Sequence, residues 1–319
     1  MENFADRLLD AIDKKQNPVC IGLDPRIGNI PQIIKSCSTV EYDQSKEAVA
    51  DAFFEFNKGI IDSTHDIVPA YKPQMAFYER YESPGVKAFE KTVDYIKKKG
   101  CIAIEDAKRN DIGSTSEAYA DGHLGLVEMC DGSKQPGFDV DAITVNGYLG
   151  IDCVKPFVDK CKEHGKGIFV LVKTSNKSSG DLQDVKTVVL DNVFSHMAKL
   201  VDTWGQEVIG ESGYSSVGAV VGATYPEEAE RARLFMPESI ILVPGYGAQG
   251  AGGKDVVPNF NKDGQGAIVN NSRGIIFAYQ KEPFKRDEDD FDLAARDAAI
   301  AMRDDILKAL KDAKISRWK

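Results

Sequence analysis

Eight short β-rich runs recur along this chain, separated by stretches that are helical in pattern or long enough to hold a helix. That alternation limits the fold more than any other feature. The runs are Pro18–Leu23, Ile67–Tyr71, Cys101–Asp106, Ala142–Val145, Gly167–Val172, Val217–Val221, Ile240–Val243 and Ala267–Val269. Between them, Glu47–Ile61 sets Val49, Phe53, Phe56 and Ile60 at helical spacing, and Val86–Ile96 does the same with Phe89 and Val93. Thr224-Tyr-Pro226-Glu-Glu starts another helix, with Thr224 expected as its cap and Pro226 in its first turn. The stretch Phe291–Ala313 predicts one long helix. Eight strands, each followed by a helix or long loop, predict an α/β fold of the (β/α)8 type, a TIM barrel. A doubly wound open sheet gives the same alternation and is the alternative. A length of 319 residues allows two modest domains or one large core. No linker or repeat argues for a second unit, so residues 1–319 are expected to form a single barrel domain.

Composition excludes several classes of function. No apolar run approaches the length needed to cross a bilayer, and no membrane association is expected. The amino terminus, Met-Glu-Asn-Phe-Ala-Asp, lacks the basic and apolar regions of a signal peptide. Six cysteines (Cys20, Cys37, Cys101, Cys130, Cys153 and Cys161) form no CxxC pair and read as reduced thiols, so a cytoplasmic location is expected. A formal net charge of −10 argues against a nucleic-acid partner. A small phosphorylated ligand is compatible with it, because one arginine and a few backbone amides suffice to hold a phosphate.

The polar residues are concentrated where a barrel would place its chemistry, at the carboxyl ends of the strands. The third run leads into Asp106-Ala-Lys108-Arg-Asn-Asp111. Side chains two apart on a strand share a face, so Asp106 and Lys108 would emerge together, with Asp111 past the strand. Alone, these six residues fit a solvated charged loop equally well. The other strand ends shift the balance: Gly22-Leu-Asp24-Pro25, Tyr71-Lys72-Pro73-Gln74, Thr144-Val-Asn146-Gly147, Lys173-Thr174-Ser175-Asn176, and Asn271-Ser272-Arg273-Gly274. Together they describe a polar ring around one mouth. Gly245-Tyr-Gly247-Ala-Gln249-Gly250 matches the GxGxxG dinucleotide fingerprint. It lies late in the chain, however, and Ala251-Gly-Gly253-Lys is poor helix material, so no NAD is expected. The better reading is a glycine-rich loop whose amides close on an anion, completed by Arg273 after strand eight. For Arg273 a surface salt bridge is the plainer alternative. The histidines His65, His123, His164 and His196 have no ligand spacing, and there is no nucleophile elbow or P-loop. Proton transfer and electrostatics remain, with no metal expected.

These residues carry a resemblance. Gly22-Leu-Asp24-Pro25, Lys72-Pro-Gln74, Asp106-Ala-Lys108-Arg-Asn-Asp111-Ile112 with Thr115, Val172-Lys-Thr174-Ser175-Asn176, Pro244-Gly245-Tyr-Gly247-Ala-Gln249 and Ser272-Arg273-Gly274 resemble the orotidine 5′-monophosphate decarboxylase family, in its longer-chain branch. The Asp-x-Lys-x-x-Asp element is shared with related sugar-phosphate enzymes; its combination with Lys72 and the Gly-Ala-Gln loop is more specific. The resemblance implies decarboxylation of orotidine 5′-monophosphate to uridine 5′-monophosphate, in pyrimidine biosynthesis, without metal or cofactor. It implies a row of alternating charges from Lys72, Asp106, Lys108 and Asp111, with Lys108 as the proton donor. Asp111, Ile112 and Thr115 would come from the partner subunit of a homodimer with shared active sites. Asp24 and Lys72 would hold the ribose, Ser175 the pyrimidine edge, and Gln249, Ser272 and Arg273 the phosphate. Gln74 and Ser175 stand where relatives can have Asn and Thr, which keeps their hydrogen-bonding capacity. The loop Asn176–Asp184 is a candidate lid over the base.

Two alternatives fit the same residues. One is a metal-dependent β-keto sugar-phosphate decarboxylase of the same superfamily. The other is a non-catalytic barrel that binds a phosphorylated ligand.

Overall fold

A computed structural model describes residues 1–247 and 250–318. All eight expected strands form, and they close into one parallel barrel in sequence order. They are β1 (Val19–Leu23), β2 (Ala70–Pro73), β3 (Ile102–Arg109), β4 (Ala142–Val145), β5 (Gly167–Lys173), β6 (Ser215–Val221), β7 (Ser239–Val243) and β8 (Ala267–Asn271). β1 pairs with both β2 and β8, which seals the cylinder. The architecture is the (β/α)8 barrel, and the open-sheet alternative is excluded by that closure.

Each strand is buried on two faces by different partners. Cys20, Ala70, Ile102, Ile104, Ala142, Phe169, Ile240, Leu242 and Ile268 fill the barrel interior. The helix Phe4–Lys15 closes the amino-terminal end of this interior with Phe4, Leu8, Leu9 and Ile12. Its start is capped by Asn3, whose side-chain oxygen accepts from the Ala5 N–H at 2.8 Å. Phe4 fits because residue 167 is glycine: a Cβ there would lie 2.1 Å from the phenyl ring.

Outside the barrel, the other strand faces pack against the helices. Lys46–Thr64 starts at a Ser45 cap and buries Phe53, Phe56 and Ile60, as their spacing predicts, while Val49 is half-buried. Glu82–Lys98 buries Phe89 and Val93. The helix Phe291–Asp312 lies along the Lys46–Thr64 helix, and Phe291 stacks on Phe56 with ring centroids 5.0 Å apart.

Several boundaries differ from the sequence reading. Ile67–Tyr71 is displaced to Ala70–Pro73, so Lys72 lies within the strand rather than after it. β3 continues through Arg109, which brings Lys108 into the strand as well. The helix Pro226–Phe235 begins with Pro226 in its first turn, but Tyr225 occupies the cap position. The Thr224 hydroxyl instead donates to the Ser175 carbonyl at 3.4 Å. The antiparallel hairpin Leu126–Glu128 with Lys134–Pro136 was not anticipated. After the glycine-rich loop a single helical turn, Gly253–Val256, does form.

Candidate active site

The strand period places the charged groups. Ala70 and Ile104 point into the barrel core, so the next inward positions toward the carboxyl end are Lys72 and Asp106. Beyond Asp106 the β3–β4 register shifts between Glu105 and Arg109, and Lys108 adopts φ 53°. That irregularity tips Lys108 over the mouth.

Asp106 sits at the centre of the cluster and is buried. Its Oδ2 accepts from Lys72 Nζ at 2.9 Å and from Gln74 Nε2 at 2.8 Å. Its Oδ1 accepts from Lys108 Nζ at 2.5 Å and from the Thr144 hydroxyl at 2.9 Å. Burial alone would raise the Asp106 pKa, but the charges and hydrogen bonds of Lys72 and Lys108 overcome it and hold the carboxyl well below the usual carboxylate range. Lys72 is likewise buried; desolvation works against its charge, yet Asp106 and Asp24 raise its pKa above the ordinary lysine value. Both groups are therefore locked in their ionised forms.

Asp24 lies across from this cluster at the end of β1. Burial raises its pKa, opposed by the Lys72 charge and the Ser272 hydroxyl. Its Oδ1 is buried without a hydrogen-bond partner, as is the Asn270 Oδ1. Unpaired buried acceptors are costly, so they mark positions that a ligand's hydroxyl groups can satisfy. Asp24, Lys72, Gln74, Asp106, Asn270, Asn271, Ser272 and Arg273 line one cavity of about 230 Å³ with Gly245 and Tyr246.

The anion-binding end is set by glycines and one arginine. A Cβ at Gly22 would come within 1.9 Å of Ser272 Oγ, so only glycine lets Ser272 seat there. Gly245 and Gly247 take φ 102° and 71°, conformations that L side chains rarely adopt. Both sides of this loop are tied to the long carboxyl-terminal helix: Asp305 Oδ2 accepts from Tyr246 Oη at 2.7 Å and from the Gly253 N–H at 2.6 Å. Arg273 is exposed at the end of β8 and forms no salt bridge among the described residues. Gln249 lies outside the described residues.

The chain thus gathers Asp24, Lys72, Gln74, Asp106, Lys108, Ser272 and Arg273 at one mouth. It does not gather the remaining expected residues there. Asp111 and Thr115 lie past β3, outside the cavity lining, and Ile112 is 55% exposed. Ser175 lies against Gly222 at the end of β6, where a Cβ on the glycine would stand 2.8 Å from it. Gln74, expected to face the ligand, donates to Asp106.

Thr144, Asn270 and Asn271 are further site residues not expected from the sequence, although each lies in the carboxyl-terminal half of its strand. Lys173 is likewise unexpected: it is fully buried and meets Asp184 at 2.6 Å and the Tyr225 ring at 4.7 Å. Thr174 and Gln183 exchange two hydrogen bonds beside it, at 2.9 and 2.8 Å. These contacts close the neck of the loop after β5. His123, one of the histidines without ligand spacing, meets the buried Glu105 at 2.7 Å.

Comparison with known proteins identifies the family. The family model for the orotidine 5′-phosphate decarboxylase / HUMPS family matches residues 17–283. An orotidine 5′-phosphate decarboxylase of Clostridium acetobutylicum is 41% identical over 305 residues, covering 96% of this chain and 99% of that protein. One from Rhodopirellula baltica is 41% identical over 308 residues, with the same shares covered. Among solved structures, the OMP decarboxylase of Leishmania donovani superimposes with a TM-score of 0.70 at 28% identity, covering 96% of this chain and 98% of that one. With the family model spanning most of the chain and relatives 41% identical over 96% of it, the chain belongs to the orotidine 5′-phosphate decarboxylase / HUMPS family.

Proposed function

We infer that this protein decarboxylates orotidine 5′-monophosphate to uridine 5′-monophosphate, a reaction of pyrimidine biosynthesis. The observation that carries the reading is the Lys72–Asp106–Lys108 row, set beside a cavity whose far side presents Ser272 and Arg273. In the reaction the bond from C6 to the carboxylate breaks, CO2 leaves, and the electron pair stays on C6. The Lys108 ammonium favours that developing charge and then transfers its proton to C6. Solvent later restores the proton. The step balances with no further reactant. Asp106, kept ionised, holds both lysines and faces the substrate carboxylate.

Asp24 and Lys72 suit the ribose hydroxyls, and Gln249, Ser272 and Arg273 suit the phosphate. Binding energy from that remote phosphate can be used to close the site and expel water. Ser175 is assigned to the pyrimidine edge, with the neck-clasped loop after β5 as the lid over the base.

Asp111, Ile112 and Thr115 lie past β3 and outside the lining of their own chain's cavity, which supports a homodimer in which each chain completes the other's site. Exposed Tyr148, Leu149 and Ile151 in the next loop add apolar surface for that contact. Residues 1–319 are taken as one barrel domain. No helix of the described residues is long and apolar enough to cross a membrane, and the six cysteines are free. Burial pushes the Cys20 thiol up to about 12, which keeps it unreactive. A cytoplasmic location fits these features.

The metal-dependent sugar-phosphate reading is less well supported. Both oxygens of Asp106 are already occupied by donors, and a cation there would have to displace two lysines. The test is direct: the purified protein should remove the orotate absorbance of its substrate, and EDTA should leave the rate unchanged. No loss of absorbance would remove the decarboxylase reading, and a rate abolished by EDTA would favour the metal-dependent one.

A further inference from the structure

Thr144, on β4, touches three groups of β3 with a single oxygen. Its hydroxyl accepts from the Ala107 N–H at 3.0 Å and from the Lys108 N–H at 2.9 Å, and it donates to Asp106 Oδ1 at 2.9 Å. A hydroxyl has one proton to give and two lone pairs to accept with, so its capacity is used up. Thr144 is 1% exposed, and nothing is left over for a ligand.

The three bonds fall where the ladder between the strands is irregular. Glu105 pairs with Ile143 and Arg109 with Val145, so β3 spends four residues on what β4 covers in two. Within that extra length Lys108 takes its φ of 53°, in the left-handed region that non-glycine residues avoid. The Thr144 oxygen supplies the acceptor for both N–H groups of the bulge. It fixes, at once, the backbone from which Lys108 rises and the carboxylate oxygen that Lys108 faces.

We propose that Thr144 is a positioning residue for the decarboxylation, holding the Lys108 ammonium and Asp106 in the relation the proton transfer needs. The inference rests on the decarboxylase reading. It adds a residue that acts on the reaction without touching the substrate.

Thr144→Val keeps the shape of the side chain and removes all three hydrogen bonds, whereas Thr144→Ser keeps the hydroxyl. Because small misplacements of a reacting group are expensive, kcat should fall roughly 10- to 100-fold in T144V. KM and the affinity for uridine 5′-monophosphate should stay within about threefold, since the phosphate and ribose contacts are made by other strands. T144S should return kcat to within about threefold of the parent. A purely structural role would instead lower kcat, ligand affinity and thermal stability together. The proposal is overturned if T144V keeps kcat within about twofold, or if T144S is as slow as T144V. If T144V does not fold by circular dichroism, Thr144→Ala against T144S carries the same comparison; failure of both to fold would make Thr144 structural and also overturn it. An inactive parent would remove the decarboxylase reading itself, which keeps the two failures apart.

Discussion

Lys108 reaches Asp106 at 2.5 Å from a backbone at φ 53°, two residues along the same strand. In a regular strand the two side chains would stand parallel and both would leave the barrel mouth together. The bulge turns Lys108 back over the carboxylate, while Lys72 approaches the opposite oxygen from β2. One anion thus holds two ammonium groups in place: Lys72 is buried against the cavity, and Lys108, with its side chain 45% exposed, is the one open to the mouth.

That arrangement sets a pH dependence of stability. The folded-state pKa of Asp106 is depressed, so its contribution is present above the unfolded value near 3.8 and is lost as pH falls toward the folded one. Asp106→Asn removes the charge that holds two lysines, and it should cost about 3 kcal/mol at pH 7. The difference from the parent should shrink as pH drops below about 4. Urea titrations of both proteins from pH 3 to pH 7 measure it. A gap that stays constant over that range would mean that Asp106 is not depressed in the folded state.

Arg273 is the charged side chain assigned to the phosphate. Arg273→Ala should weaken binding of uridine 5′-monophosphate by about 2–4 kcal/mol through lost charge-assisted hydrogen bonds. Uridine, which lacks the phosphate, should bind the two proteins alike. Calorimetry with both ligands separates the possibilities: equal losses would make Arg273 a structural residue and place the phosphate elsewhere.

Glu105 and His123 provide a stability test outside the site. Glu105 is fully buried with its Oε1 unpartnered, so His123 is the side chain that satisfies it. His123→Leu should cost about 3 kcal/mol, because it leaves a buried carboxyl group with no partner. Combining it with Glu105→Leu should recover most of that loss. Denaturant midpoints decide, and additive losses in the double variant would show that the pair is not coupled.

The barrel was legible in the sequence because its strands are short apolar runs buried on both faces, whose signal does not depend on distant partners. Lys72, Asp106, Ser272 and Arg273 were legible because polar residues that end buried strands are conspicuous. The hairpin at Leu126–Glu128 and Lys134–Pro136 was not: its strands are three residues long, largely exposed, and have no apolar alternation to read. The plugging role of Phe4, Leu8 and Ile12 is a tertiary fact, since the same spacing suits any surface helix. Thr144 escaped for a related reason. Its three bonds exist only because β3 bulges beside it, and nothing local to Lys108 announces a positive φ. Lys173 reads as one more polar strand end until Asp184 and Tyr225 fold over it.

Asp111 tests whether two chains build each site. It lies beyond β3, outside the cavity lined by its own chain, and its Oδ1 accepts from the neighbouring Ile112 N–H at 2.8 Å. Lys108→Ala and Asp111→Ala proteins, each nearly inactive, should regain activity when mixed and allowed to exchange subunits. A heterodimer holds one doubly damaged site and one intact site, so random exchange restores about one site in four. Activity should follow the heterodimer population seen by native mass spectrometry. Heterodimers without activity would return Asp111 to its own chain's site.

The most direct test of the account is Lys108→Ala itself, assayed by the loss of orotate absorbance beside the parent. The side chain is half-exposed at the mouth, so the variant should fold, with a thermal midpoint close to the parent's, and should still bind uridine 5′-monophosphate. Its decarboxylation rate should fall by at least about 10²–10⁴-fold, the range expected for losing general acid catalysis alone, with electrostatic stabilisation adding to it. A folded, ligand-binding Lys108→Ala protein whose rate stays within about tenfold of the parent would contradict Lys108 as the proton donor, and with it the account of this site.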